Sequence, residues 1–144
     1  MLKGISPLLS PELLQTLCAM GHGDTIVLAD ANFPASARAR RLLRLPGLAA
    51  DAVLDAVLAL LPIDTFIGDP VRTMQVVGDP AAVPEAVRAF TTVLARHAGP
   101  APVGIDRFSF YAQAEQAYAI VQTGETRLYG NILLTKGVIE APRA

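Results

Sequence analysis

The chemistry in this chain has to come from few side chains. Histidine is the one residue type whose ordinary pKa lies near neutrality, and of the two histidines present, His22 stands between two glycines in Met20-Gly-His-Gly-Asp24. Glycines there leave room for a ligand and permit backbone angles that bulkier residues resist. The imidazole is thus a candidate general acid or base. The same pattern equally suits a helix cap followed by an exposed loop histidine, and spacing alone does not choose between them. Asp30 follows an apolar run directly and leads into Ala31-Asn32-Phe33-Pro34, so its carboxylate can either grip a ligand or cap that loop. Arg107 precedes the aromatic group Phe108, Phe110 and Tyr111; its fork of donors suits a ligand oxygen or a structural ion pair. Tyr129-Gly-Asn131 combines a phenol, a permissive backbone and an amide that donates and accepts. An ordinary turn has the same composition.

Other charged or reactive residues read more plainly. Arg38, Arg40, Arg41 and Arg44 lack interleaved aromatics, so they suggest a solvated or interface-facing stretch rather than a nucleic-acid site. His97 falls in the last turn of an expected helix, where the helix dipole favours it. Cys18, near Leu14 and Leu17, is expected to be a small buried residue. Two histidines without ligand-spaced partners point to no metal site and no cofactor.

Composition narrows the partners. Lysine and arginine number 12 against 13 acidic residues, a net charge of −1, which offers little attraction to nucleic acid or to an anionic membrane. A small neutral ligand fits better. Hydrophobic residues make up 52% and charged ones 17%, which points to apolar surface buried between subunits. The single cysteine excludes an intrachain disulfide and suits a reducing, cytoplasmic setting. No secretion signal is apparent at the N-terminus, which carries Pro7 and then Ser10-Pro11-Glu12. The most apolar stretch, residues 48–63, is short for a bilayer span and contains Asp51 and Asp55.

The elements that must position these groups alternate along one domain, residues 1–144. Ser10 as cap, Pro11 in the first turn, Leu13, Leu14 and Leu17 on one face and Gly21 beyond predict a short helix. Thr25 to Ala29 reads as a strand buried on both faces, central in a sheet. Residues 32–45 read as loop with one helical turn, 48–61 as helix, 74–77 as strand and 84–97 as helix. Beyond a turn at 99–102, residues 103–106 read as extended, 109–117 as helix, 118–122 as strand, 124–125 as a turn and 132–134 as a last strand. Such alternation predicts an α/β domain, a three-layer α/β/α sandwich with a mostly parallel or mixed central sheet. One difficulty follows. His22 and Asp30 flank the same five-residue strand, which spans roughly 17 Å, so a straight strand holds them at opposite ends.

Several segments together resemble one family. Met1-Leu-Lys, Ile5-Ser-Pro-Leu, Ser10-Pro-Glu-Leu-Leu, Met20-Gly-His-Gly-Asp24 and Asp30-Ala-Asn-Phe-Pro-Ala35 come in order, followed by Asp106-Arg-Phe-Ser-Phe-Tyr111, Ala119-Ile-Val, Thr123-Gly-Glu125 and Tyr129-Gly-Asn-Ile-Leu-Leu-Thr-Lys-Gly-Val138. They are similar to the fucose mutarotase branch of a family that also contains ribose pyranase. Phe33 and the aromatic group from Arg107 to Tyr111 favour the fucose branch. Between residues 35 and 83 the match reduces to Arg44 and Met74.

The resemblance implies a three-layer fold assembled into rings, commonly homodecamers of two stacked pentamers, with each site near a subunit interface. It further implies that His22 donates and accepts a proton while Asp30, Arg107, Tyr129 and Asn131 contact a monosaccharide, L-fucose. The reaction it implies opens the sugar ring and closes it on the other face, interconverting α and β anomers without a metal or cofactor. His22 would move one proton, and Tyr129 or a bound water the other. Two alternatives stay open: a ribose pyranase activity, exchanging six- and five-membered rings, and a sugar-binding protein without catalysis.

Overall fold

The structure, a computed structural model, describes residues 1–141. Eleven elements alternate along it: α1 (Pro11–Ala19), β1 (Thr25–Ala29), α2 (Ala35–Arg38), β2 (Leu42–Leu45), α3 (Ala50–Leu58), β3 (Val71–Met74), α4 (Glu85–Arg96), β4 (Val103–Ile105), α5 (Arg107–Gln116), β5 (Ala119–Thr123) and β6 (Ile132–Thr135). The six strands form one sheet in the order β2-β5-β1-β6-β3-β4. β1 runs parallel to β5, which runs parallel to β2, and β3 runs parallel to β4. Only β6 is reversed, antiparallel to both β1 and β3.

Alternation along the strands divides the interior into two layers. Ile26, Leu28, Val121, Ile132 and Leu134 face α1, α3 and α4, where Leu13, Leu54 and Phe90 are buried. Val27, Ala29, Ile120 and Leu133 face the other way, against Ala35 of α2 and Phe110 and Ala114 of α5. Phe90 and Phe110 are both fully buried, and each such burial contributes about 1.5–3 kcal/mol. The expected three-layer α/β/α sandwich is therefore observed, with a mixed sheet.

The helix ends follow their local chemistry. Ser10 Oγ accepts the Leu13 N–H at 3.2 Å, and Asp106 does the same for Ser109 at 3.0 Å, satisfying donors that a helix start leaves free. His97 caps α4, and its Nε2 lies 2.8 Å from Asp55 Oδ1 on α3, a partner not foreseen from the sequence.

Four sequence expectations need correction. Residues 32–45 contain α2 and also the edge strand β2, whose half-exposed Leu-Leu-Arg-Leu pattern conceals a strand from a reading that looks for continuous burial. The strand expected at residues 74–77 is Val71–Met74 instead; Val76 bridges Asp79 in a tight turn, so those β-branched residues serve the turn. α5 begins at Arg107 rather than Ser109, because Asp106 is its cap. Cys18 is exposed, since α1 turns Leu13 and Leu17 inward and the next residue lies about 100° further round the helix.

Candidate active site

The carboxyl end of β1 holds Asp30, which is 6% exposed. Its backbone N–H donates to Asn131 Oδ1 at 2.9 Å, and Asn131 Nδ2 donates back to Asp30 Oδ2 at 2.9 Å. The Asn32 N–H donates to the other carboxylate oxygen at 3.0 Å. Burial nevertheless holds the Asp30 carboxyl above its ordinary pKa, against the lowering pull of these donors. A further donor from a ligand hydroxyl would be taken up favourably here. Gly130 lies between the two partners because a Cβ there would sit 2.6 Å from Glu125 Cγ and 3.4 Å from Asp30 Cβ.

Tyr129 precedes this glycine in the left-handed region, φ 60°, a conformation uncommon outside glycine and asparagine. Its hydroxyl accepts the Val77 N–H at 3.1 Å, tying it to the turn after β3. That turn and Arg107 line a hollow of about 270 Å³ with Gly78, Asp106 and Phe108. Arg107 is exposed, and its guanidinium lies 5.2 Å from the Phe108 ring centre. Four of the five residues singled out, Asp30, Arg107, Tyr129 and Asn131, thus gather at one end of the sheet.

His22 does not join them. It sits at the amino end of β1 with its side chain 48% exposed, and its Nε2 lies 3.3 Å from Oδ1 of Asp64, which is 3% exposed. The expected separation of His22 from Asp30 is therefore real within one chain. Phe66 stands beside the imidazole, ring centres 5.5 Å apart. The Phe66 N–H donates to Asp64 Oδ1 at 2.9 Å. That bond foremost, and His22 as well, hold the Asp64 carboxyl below its ordinary value, against desolvation. Sequence reading missed Asp64, whose only local signal is a carboxylate two residues before an aromatic in a loop.

Beneath the Asp30 end lies a second buried carboxylate with the opposite behaviour. Glu125 receives two Arg127 guanidinium donors, Nε at 2.9 Å and Nη2 at 2.7 Å, and accepts the Ala50 N–H at the start of α3 at 3.2 Å. Arg127 chiefly pushes its pKa down to about 2. Asp51 and Glu85 also lie within ion-pair reach of Arg127. This cluster joins the 124–130 loop to α3.

The arginine stretch is likewise absorbed by the fold. Arg38 pairs with Glu115, Arg40 with Gln116 and Arg44 with Ser36, while Arg41 lies over the Tyr118 ring at 4.0 Å. Among the described residues, no group of three His, Cys, Asp or Glu side chains is placed to hold a metal ion. No helix among them is long and apolar enough to cross a membrane.

Comparison with known proteins sets this geometry in context. The chain is 45% identical to the fucose mutarotase of Bos taurus over 148 residues, covering 99% of this chain and 96% of that one. It is 43% identical to an L-fucose mutarotase of Haemophilus influenzae over 140 residues, covering 96% and 97%. The crystal structure of the fucose mutarotase from Streptococcus pneumoniae in complex with L-fucose superposes with a TM-score of 0.91 at 40% identity, covering 96% of this chain and all of that one. The sequence pattern of the RbsD / FucU transport protein family matches residues 3–139, and the chain belongs to that family.

Proposed function

We propose that this chain catalyses the interconversion of the α and β anomers of L-fucose. The observation that carries this reading is its likeness, over nearly the whole chain, to the Streptococcus pneumoniae fucose mutarotase solved with L-fucose. The reaction needs a proton removed from the anomeric hydroxyl and a proton delivered to the ring oxygen as the bond from that oxygen to the anomeric carbon breaks. The aldehyde so formed turns and closes on its other face, returning both protons. An imidazole can take up or give up a proton near neutral pH, and His22 fills that role in either direction of transfer. Tyr129 serves as the second proton carrier, and Asp30, Arg107, Tyr129 and Asn131 hold sugar hydroxyls in one pose.

The division of these residues between two ends of the sheet supports a site completed by a second copy. Both ends expose large apolar side chains, Phe66 at 70% beside His22 and Phe108 at 73% beside Arg107. Head-to-tail contact between unlike ends closes into rings, in keeping with a homodecamer of stacked pentamers. The lone cysteine accords with a cytoplasmic location.

Saturation-transfer NMR tests the reaction. Magnetisation passing between α- and β-fucose signals, lost in His22→Ala, is the expected result. Transfer between pyranose and furanose signals of ribose would favour the pyranase instead, and sugar binding without exchange would make the protein a non-catalytic binder. Mixing and reassembling inactive His22→Ala and Asp30→Asn subunits should restore exchange at a fraction of the sites if each site draws on two copies.

A further inference from the structure

We propose that Asp64 is a positioning residue that fixes the His22 ring with its proton on Nε2, leaving Nδ1 to exchange protons with the sugar. The inference rests on the reading of His22 as the acid/base given above.

Three observations carry it. The Asp64 carboxylate is nearly inaccessible, yet its Oδ1 faces the Nε2 of a half-exposed ring at 3.3 Å. A carboxylate oxygen this close to one ring nitrogen favours the proton on that nitrogen over a lone pair, so the contact biases the tautomer electrostatically. Catalytic contacts are often long without ligand and tighten when it binds. Next, both partners are fastened to one short piece of chain. The Gly23 N–H donates to the Lys136 carbonyl at 2.8 Å and the Asp64 N–H to the Thr135 carbonyl at 3.0 Å. Gly137 completes the clamp, since a Cβ there would lie 2.6 Å from the Ile63 carbonyl oxygen and 2.8 Å from Asp64 Cα. The distance between the acid and the imidazole is thereby set by the backbone of β6 and its extension. Finally, Phe66 closes one side of the ring, and among the described residues no hydrogen bond engages Nδ1.

The other charged groups of this region are already occupied. Asp24 Oδ2 accepts the Gly21 N–H at 2.8 Å, and the Lys136 ammonium donates to the carbonyls of Leu17, at 2.8 Å, and Met20. Asp64 alone addresses the imidazole. Its arrangement matches the third member of a nucleophile-base-orienter set, in which a buried carboxylate holds the tautomer and steadies the imidazolium as it forms.

The test combines a spectrum with kinetics on the full-length protein. Nitrogen-15 NMR of histidine-labelled wild type, at a pH where the ring is neutral and with signals assigned through His97→Gln, should show a pyrrole-type Nε2 and a pyridine-type Nδ1 for His22. This measurement needs no variant at Asp64. The variant Asp64→Asn keeps an oxygen for the Phe66 N–H but removes the charge. It should lower kcat for anomer exchange by about 10- to 100-fold, leave the fucose KM within about twofold, and mix the two tautomers in the spectrum. A wild-type His22 protonated on Nδ1, or an Asp64→Asn enzyme with wild-type kcat, overturns the proposal. If His22→Ala itself exchanges anomers at the wild-type rate, the acid/base reading of His22 fails first. If His22→Ala is inactive while Asp64→Asn is not, only the role of Asp64 falls.

Discussion

The two ends of β1 are built on opposite plans. At the carboxyl end the carboxylate proposed to hold the sugar is buried and stapled to an amide by paired bonds, so Asp30 and Asn131 form a rigid unit whose hydrogen-bonding capacity is mostly spent inside the protein. At the amino end the imidazole proposed as acid and base is half exposed, and it is its neighbour Asp64 that is buried. Each end nonetheless relies on a glycine in the same chain segment, Gly130 before β6 and Gly137 after it, at points where a side chain would collide with a carboxylate-bearing loop. A group that grips gains from being fixed and desolvated, whereas a group that must pass protons to and fro gains from access. The contrast teaches that one strand, β6, serves both needs by pinning a carboxylate at each of its ends.

Breaking the exposed end should cost activity and spare stability. His22→Ala is expected to slow anomer exchange by about 10²- to 10⁴-fold, read by saturation-transfer NMR, and this is the largest effect anticipated. Breaking the buried end should cost stability, and most of all through Glu125. Glu125→Gln should lower unfolding stability by about 2–3 kcal/mol at neutral pH, measured in urea. Because the folded pKa of Glu125 lies at about 2, below the ordinary 4.5, its contribution is fully present above pH 4.5 and fades as pH falls toward 2. The gap between wild type and Glu125→Gln should therefore narrow over that window; a constant gap would mean that the carboxylate charge is not what stabilises.

Asn131→Ala strips Asp30 of its side-chain donor and of the acceptor for its N–H, and should cost about 1–2 kcal/mol by thermal unfolding. Tyr129→Phe removes one bond to an exposed turn, worth about 0.5–1 kcal/mol, so a much larger loss of exchange rate than of stability would sharpen the case for a proton carried by the phenol. Smallest of all, His22→Ala should move the unfolding midpoint by an amount equivalent to less than about 0.5 kcal/mol.

Much of this was legible in the sequence where local chemistry decides the outcome. Ser10, Pro11 and the leucine spacing predict α1, and the run Thr25 to Ala29 predicts a central buried strand. His22, Asp30, Arg107, Tyr129 and Asn131 stand out because each adjoins a glycine, a strand end or an aromatic group. What escaped depends on partners distant in the chain. β2 is a strand because Leu42 to Leu45 pair with β5 nearly eighty residues on, and its own short, half-exposed pattern says little. β3 shows an arginine in its middle, Arg72, whose side chain reaches Gln113 on α5 at 3.0 Å. Asp64 carries no mark of function until the fold brings His22, forty-two residues earlier, against it.

The reversed strand has a consequence for how the chain comes into being. Among the described residues β6 is the last element in chain order and yet lies in the middle of the sheet, the strand that joins the β2-β5-β1 group to the β3-β4 pair. Without it the other strands divide into two partial sheets, β2-β5-β1 and β3-β4, each with an edge left unpaired. Closure waits on contacts between residues about a hundred apart, Ile26 with Leu134 and Val27 with Leu133, the kind of pairing that folds slowly. The segment that seats Asp64 and His22 is thus also the piece that closes the sheet, so their mutual placement is set in the same step as the sheet.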